Sequence, residues 1–239
     1  FQEKAPAQTR SLITTDIHSH LLPGIDDGVE TFDESLEVVN GFISLGYTRL
    51  ITTPHIMQDY YRNEPEEIRE LAALLQSKIY DRGWDITVEA AAEYYLDEGL
   101  MEKLENEDEL LTFGNNYLLF ETSFINKPIY IEEFLFKTMS RGYTPVMAHP
   151  ERYAYIHNEP NLLQTLMDRG MLSQVNANSF AGYYSKEVKK MARRIIDSGL
   201  VNFVGSDCHS MKHLEVLRDV ISDPYFVKAS GYPLLNSDC

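Results

Sequence analysis

Residues 44–55 read SLGYTRLITTPH, and the construction of this stretch decides the fold. Gly46 closes an amphipathic run as a helix C-cap would. A β-branched apolar strand follows, and it ends in polar residues that stop at His55. The same joint recurs at 140–151 (SRGYTPVMAHPE), 168–179 (DRGMLSQVNANS) and 197–209 (DSGLVNFVGSDCH). Any chain that alternates helices and strands reuses glycine caps, so the repeat speaks for architecture rather than for activity.

Around these joints the chain alternates throughout. Apolar runs stand at SLITTDIH, TRLITTPH, DITVEAAAEYY, NYLLFETS, TPVMAHPE, MLSQVNANS and VNFVGSDCH. Helical patterns separate them; the first, TFDESLEVVNGFISLG, opens with the capping-box spacing Thr31-x-x-Glu34. Gly46, Gly83, Gly142, Gly170 and Gly199 are expected to end helices. No Pro/Gly/Ser-rich linker divides the chain. The expectation is an N-terminal extension over residues 1–11 and one α/β domain over 12–239 with a parallel sheet. Polar and ionisable residues end every run: His18 and His20, His55, Glu93, Glu121, His149, Asn176 and Asn178, Asp207 and His209. Seven runs feeding one rim are hard to arrange in an open sheet, so a closed TIM-like barrel is favoured.

The chain has 239 residues, 44% hydrophobic and 24% charged, which suffices for a sizeable core. A net charge of −16 argues against a nucleic-acid binder and against anionic membrane surfaces. No apolar run reaches transmembrane length, so no membrane insertion is expected. Two cysteines, Cys208 and Cys239, build no disulfide framework, and a reducing, cytoplasmic location is expected.

Each strand-end residue alone has a plain reading: a satisfied core histidine, or a carboxylate that caps a helix or pairs with arginine. Together they read differently. Five of the seven histidines fall at strand ends in company with four carboxylates. Residues i and i+2 of a strand point the same way, so His18 with His20, and Asp207 with His209, can converge on one ion. Carboxylate and imidazole without cysteine suit Mn²⁺, Fe²⁺ or Zn²⁺. Four crowded carboxylates would repel without cations, so the set asks for metal. His157 and His213 read as surface residues. Phe134 and Leu135 sit at helical spacing and read as core.

DIHSH, TPH, HPER and GSDCH, in that order, resemble the four motifs of the polymerase and histidinol phosphatase (PHP) superfamily. DIHSHLLPGIDDG, AAEYY, LLFETS, AHPERY and GSDCH resemble its bacterial tyrosine-phosphatase branch, whose members dephosphorylate tyrosine autokinases of capsular or exopolysaccharide export. The likeness runs from about Thr14 to about His209. It implies a distorted (β/α)7 barrel of the PHP type with three divalent metal ions, often manganese. Carried over by position, one ion takes His18, His20, Glu93 and Asp207. A second takes Glu93, Glu121 and His149, and a third Asp27, His55 and His209. Arg152 of HPER matches the arginine that grips substrate phosphate. The sequence departs from the pattern in two places: roughly a dozen residues precede the first motif, and Cys208 stands where the family often has alanine.

The implied chemistry is phosphotyrosine hydrolysis by a metal-bridging hydroxide attacking in line, with Arg152 stabilising equatorial charge. His55 and His209 are candidate proton donors to the leaving oxygen. Asp16 shares a strand face with His18 and either orients a ligand or bonds to backbone. Tyr60, Tyr61 and Arg62, in the loop after His55, either form a lid that recognises an aromatic substrate or are ordinary exposed residues. Cysteine-based phosphatase chemistry needs Cys-x5-Arg, and Leu214 stands six residues after Cys208. Two alternatives remain: a small-molecule phosphatase such as one for histidinol phosphate, and a metal-stabilised binder of a kinase's tyrosine-rich tail that does not hydrolyse it. The sequence is silent on oligomeric state.

Overall fold

The computed structural model describes residues 10–159 and 161–239, so the expected N-terminal extension lies, for residues 1–9, outside the described residues. Helix α1 (Phe32–Leu45) begins where expected: Thr31 is extended, and its side chain accepts from Glu34 N at 3.2 Å. The reciprocal half of the box is shifted by one residue, because Glu34 Oε2 accepts from Glu30 N (2.8 Å) rather than from the cap itself. Helices α2 (Pro65–Asp81), α4 (Ile131–Ser140), α6 (Leu162–Met167) and α7 (Lys186–Asp197) also match the helical patterns. All five glycines expected to end helices have positive φ, from 66° to 98°. Helices α3 (Glu98–Glu105), α5 (Ala154–Asn158), α8 (Met211–Val220) and α9 (Pro224–Ser230) add to these.

The seven apolar runs supply nine strands: β1 (Thr15–Asp16), β2 (Arg49–Thr52), β3 (His55–Ile56), β4 (Thr87–Ala90), β5 (Glu93–Tyr95), β6 (Tyr117–Glu121), β7 (Thr144–Ala148), β8 (Leu172–Asn176) and β9 (Phe203–Gly205). They form two sheets, β1-β2-β4 and β3-β5-β6-β7-β8-β9, with every pairing parallel. The second and third runs are each split where the chain changes sheet. Pro54 has no N–H to give to a ladder. Thr53 N instead donates to Ser19 O at 2.7 Å, and Pro54 O accepts from Glu93 N at 3.1 Å. The first run meets the last beyond its own strand: Asp207 N donates to His18 O (2.8 Å) and His20 N to Cys208 O (2.9 Å), with a parallel bridge between Ser19 and Cys208.

Strand alternation divides the apolar side chains between two cores. Leu50, Val88, Leu118, Phe120, Met147, Val175 and Val204 belong to the larger one, shared with the helices; Phe134 and Leu135 lie in it, as expected. Ile17, Ile51, Ala91, Leu119, Val146, Ala148 and Phe203 form a smaller one, with Leu172 packed against it, so all seven runs contribute. Strands buried on both faces explain why the runs read as nearly continuous apolar stretches. Ile17, Ala91, Leu119 and Ala148 of the smaller core stand one or two residues before His18, Glu93, Glu121 and His149.

Candidate metal centre

The eight histidines and carboxylates singled out at strand ends come together with Asp27. Their donor atoms fall into four overlapping groups, each within 4.8 Å: His20, Asp27, His55 and His209; His18, Glu93 and His149; His18, His20 and Asp207; His55, Glu93 and Glu121. Parallel register sets much of this, with His55 opposite Glu93 and Tyr95 opposite Glu121. Glu93 is the hub. Its Oε1 lies 3.0 Å from His149 Nε2, and its Oε2 lies 3.2 Å from both His18 Nε2 and His55 Nδ1. His149 stands nearer Glu93 than Glu121, whose Oε2 is 3.9 Å away. His149 (φ 34°) and Asp207 (φ 52°) hold left-handed backbone conformations that are costly for non-glycine residues, which turns both side chains at the strand ends.

The electrostatics suit a cation. Burial alone would raise the Glu93 carboxyl, but the imidazoles of His18 and His55 hold it well below the ordinary range. Burial and then the Glu93 charge push Glu121 up to about 8. Burial opposes protonation of His18, yet Glu93 and Asp207 raise it overall. His149 is driven the other way, down to about 4, by burial and by Arg152. His55 Nδ1 is buried without a hydrogen-bond partner although it lies 3.2 Å from Glu93 and 3.3 Å from Glu121. Carboxylates and imidazoles packed this closely, with His55 Nδ1 and His149 Nδ1 buried and without a hydrogen-bond partner, match the donor chemistry of a divalent-metal site.

Several neighbours complete the arrangement, and the sequence reading had missed some of them. The Asp26 side chain is buried, and its Oδ2 accepts from His20 Nδ1 (2.7 Å) and His55 N (3.1 Å), while Oδ1 accepts from Gly28 N (2.9 Å). Asp27, the aspartate singled out, is half exposed and places Oδ1 3.4 Å from the Nε2 atoms of both His55 and His209. Gly28 must be glycine here, because a Cβ would lie 2.4 Å from His20 O. Gln174 Oε1 sits 2.8 Å from His18 Nδ1. The period-2 spacing of Gln174 and Asn176 could have revealed it, since both occupy the inner face of β8. Asp16 takes the backbone alternative: its carboxylate accepts from Ser206 N (2.7 Å) and Ser206 Oγ (2.8 Å).

His213 corrects the expectation of a surface residue. It is half-buried, its Nδ1 accepts from His209 N at 3.3 Å, and it lines the same cavity as the cluster. Asn178 Nδ2 donates to the His213 carbonyl (3.0 Å). His157 is also half-buried, with Nε2 2.7 Å from Glu151 O. Cys208 is buried, and burial holds its thiol far above the ordinary range, which leaves it unreactive.

The cavity has a volume of about 560 Å³ and also takes in Arg152, Tyr61, Phe124 and Tyr184. Arg152 Nη1 donates to Asp207 Oδ2 at 3.0 Å. The Tyr61 ring stacks on His55, with centroids 5.5 Å apart and planes at 15°, whereas Tyr60 points into solvent at 78% exposure. The described residues thus bring together a buried imidazole–carboxylate cluster and an arginine in an open cavity.

The protein-family comparison matches residues 14–216 to a model described as capsular polysaccharide synthesis, CpsB/CapC. The tyrosine-protein phosphatase YwqE of Bacillus subtilis is 33% identical over 197 residues, covering 82% of this chain and 78% of that protein. The putative tyrosine-protein phosphatase CapC of Staphylococcus aureus is 29% identical over 87% of this chain and 82% of its own length. A chain from crystal structures of B. subtilis YwqE and Streptococcus pneumoniae CpsB, described as unique metal-dependent tyrosine phosphatases, superposes with a TM-score of 0.81. It is 31% identical and covers 90% of this chain and 89% of its own. Histidine and carboxylate motifs, their convergence in the fold and the match over most of the chain agree: this chain belongs to the CpsB/CapC family of capsular polysaccharide synthesis proteins.

Proposed function

We propose that this chain is a metal-dependent phosphotyrosine-protein phosphatase whose substrate is a tyrosine autokinase of polysaccharide export on the cytoplasmic side. The observation that carries the reading is one cavity lined by Arg152 and by seven residues of the nine-residue imidazole–carboxylate cluster, whose other two, His18 and His20, are fully buried. Three divalent ions, Mn²⁺ foremost, would be held by His18, His20, Asp27, His55, Glu93, Glu121, His149, Asp207 and His209. Bound ions would supply positive charge for phosphoryl oxygens and acidity for a coordinated water. The two sheets read as arcs of one distorted (β/α)7 barrel; the Ser19–Cys208 bridge between first and last runs and the inner core drawn from all seven support this.

The chain's own residues divide the work. Asp26 accepts the Nδ1 proton of His20, and Gln174 accepts that of His18, which leaves both Nε2 lone pairs facing the cluster. Arg152, fixed by Asp207 at one nitrogen, offers the rest of its planar fork to phosphoryl oxygens. Tyr61 lines the cavity with an aromatic face that suits an aryl ester. A tyrosinate leaving group, with a pKa of about 10, needs less protonation than an alkoxide. His55 and His209 Nε2 both face Asp27 at 3.4 Å, where they would serve an ion; a metal-bound nitrogen carries no proton, so either imidazole would act as proton donor only with that nitrogen released.

The deciding assay is phosphate release by Mn²⁺-loaded protein from a phosphotyrosyl peptide, with phosphoseryl peptide, histidinol phosphate and chelator-stripped protein alongside. Metal-dependent turnover that favours phosphotyrosine, reduced at least about tenfold (about 1.4 kcal/mol) by Arg152→Ala, is the expected result. Turnover confined to histidinol phosphate would overturn the protein-phosphatase reading and leave the metal centre standing.

A further inference from the structure

We infer that Tyr184 and Phe124 are positioning residues that clamp the Arg152 guanidinium flat between their rings, so that its free edge meets the phosphoryl group in one orientation. The inference rests on the reading of Arg152 as the phosphoryl ligand. Arg152 Cζ lies 4.4 Å from the Tyr184 ring centroid and 4.6 Å from that of Phe124. The two rings arrive from different parts of the fold. Phe124 stands three residues after the end of β6, and Tyr184 just before α7.

The edge of the guanidinium is fixed from one side only. Nη1 donates to Asp207 Oδ2 (3.0 Å), and the same oxygen accepts from Tyr184 Oη (3.2 Å) and Asn176 Nδ2 (2.6 Å). Asn176 Nδ2 also reaches Tyr184 Oη at 3.1 Å. Asp207 therefore divides its oxygens. Oδ2 serves the clamp, while Oδ1 lies 3.5 Å from His18, His20 and His209. Arg152 Nη2 and Nε have no hydrogen-bond partner among the described residues, although the side chain is only 24% exposed.

Aromatic faces attract a guanidinium over its plane and leave its N–H edge unobstructed. An arginine held only by Nη1 could still swing about that contact. Rings on both faces suppress the swing, and ordering the fork before substrate arrives lowers the entropy lost on binding. Phe124 is 41% exposed and its ring also lies 5.7 Å from that of Tyr153 and 5.9 Å from that of His149, so the Arg152→Ala background is what separates its effect on the arginine from its effect on those rings.

The test is a set of double-mutant cycles on Mn²⁺-loaded protein, reading kcat and KM for a phosphotyrosyl peptide and the affinity for inorganic phosphate by calorimetry. Tyr184→Leu and Phe124→Leu should each weaken phosphate binding and lower kcat/KM by about tenfold, equivalent to about 1.4 kcal/mol. Tyr184→Phe, which keeps the ring, should recover most of that loss. In an Arg152→Ala background either leucine substitution should cost less than about twofold, because its effect passes through the arginine. Equal losses with and without Arg152 would overturn the inference. Should Tyr184→Leu disturb Asp207 and lose metal, Phe124→Leu decides alone. An Arg152→Ala protein that binds phosphate and turns over like the parent would instead overturn the reading of Arg152 itself.

Discussion

Asp26 and Asp27 are neighbours in sequence and do opposite things. Asp27 reaches out between two imidazoles, while Asp26 turns inward and takes hydrogen bonds from His20 Nδ1, His55 N and Gly28 N. Burial would raise the Asp26 carboxyl, but His20 holds it below the ordinary range. Asp26→Asn keeps the shape but must turn an NH₂ toward one of these donors, since all three partners give hydrogens. Loss of the His20 tautomer should weaken metal binding about 10–100-fold. A competitive metal titration checks it; unchanged affinity would show that Asp26 only shapes the loop. At this scale eight of the nine donors were legible because histidine and carboxylate are conspicuous at the ends of apolar runs, and Asp27 entered only through the family resemblance. Asp26, Gln174 and His213 were not. What distinguishes Asp26 from Asp27 is which way a turn points, and nothing in DDG encodes that without the surrounding contacts.

The strand runs were legible as elements because strands buried on both faces are apolar and β-branched nearly throughout. The change of sheet within the second and third runs was not, since it depends on which neighbour each backbone group finds once Pro54 withholds its N–H. Helix α3 was hidden for a related reason: with its Asp97 cap it is eight residues of mixed polarity that bury only Leu100 and Leu104. Helix packing also overrides local preference at Gly41, in the middle of α1. Alanine is about 1 kcal/mol better than glycine in a helix interior. A Cβ at Gly41 would, however, lie 1.9 Å from Leu214 Cδ2, and Leu214 is fully buried in α8. Overpacking of this kind costs about 1–3 kcal/mol, which outweighs the propensity gain. Gly41→Ala should therefore be destabilising by about 1 kcal/mol net. Urea unfolding reads this directly, and a higher midpoint would mean that α1 and α8 separate at little cost.

Across the whole molecule the cluster joins residues from His18 to His209, so whatever fills it ties the first apolar run to the last. The protons in the cluster set how that tie varies with pH. Without metal, Glu121 is pushed up to about 8, and His18 and His20 are raised above their ordinary value by neighbouring carboxylates that outweigh burial. Such groups bind protons more tightly folded than unfolded. Their contribution to stability is complete at pH values below their unfolded pKa and declines as pH rises through the folded one. Metal-free protein should accordingly lose stability through Glu121 from about pH 4.5 to about 8, joined by the histidines above about pH 6.5. Metal ligation requires the same groups to be deprotonated, so binding releases protons near neutrality and strengthens as pH rises. At a fixed excess of Mn²⁺ the ligand-linked stabilisation follows RT ln(1 + [L]/Kd), about 2.7 kcal/mol when the metal is at 100 times Kd. The Tm gap between loaded and chelated protein should therefore widen between pH 6.5 and 8. Thermal melts across that range measure it, and calorimetry in buffers of different ionisation enthalpy counts the released protons. A gap independent of pH, with no proton release at pH 7, would mean that Glu121, His18 and His20 do not ligate the metal as a set.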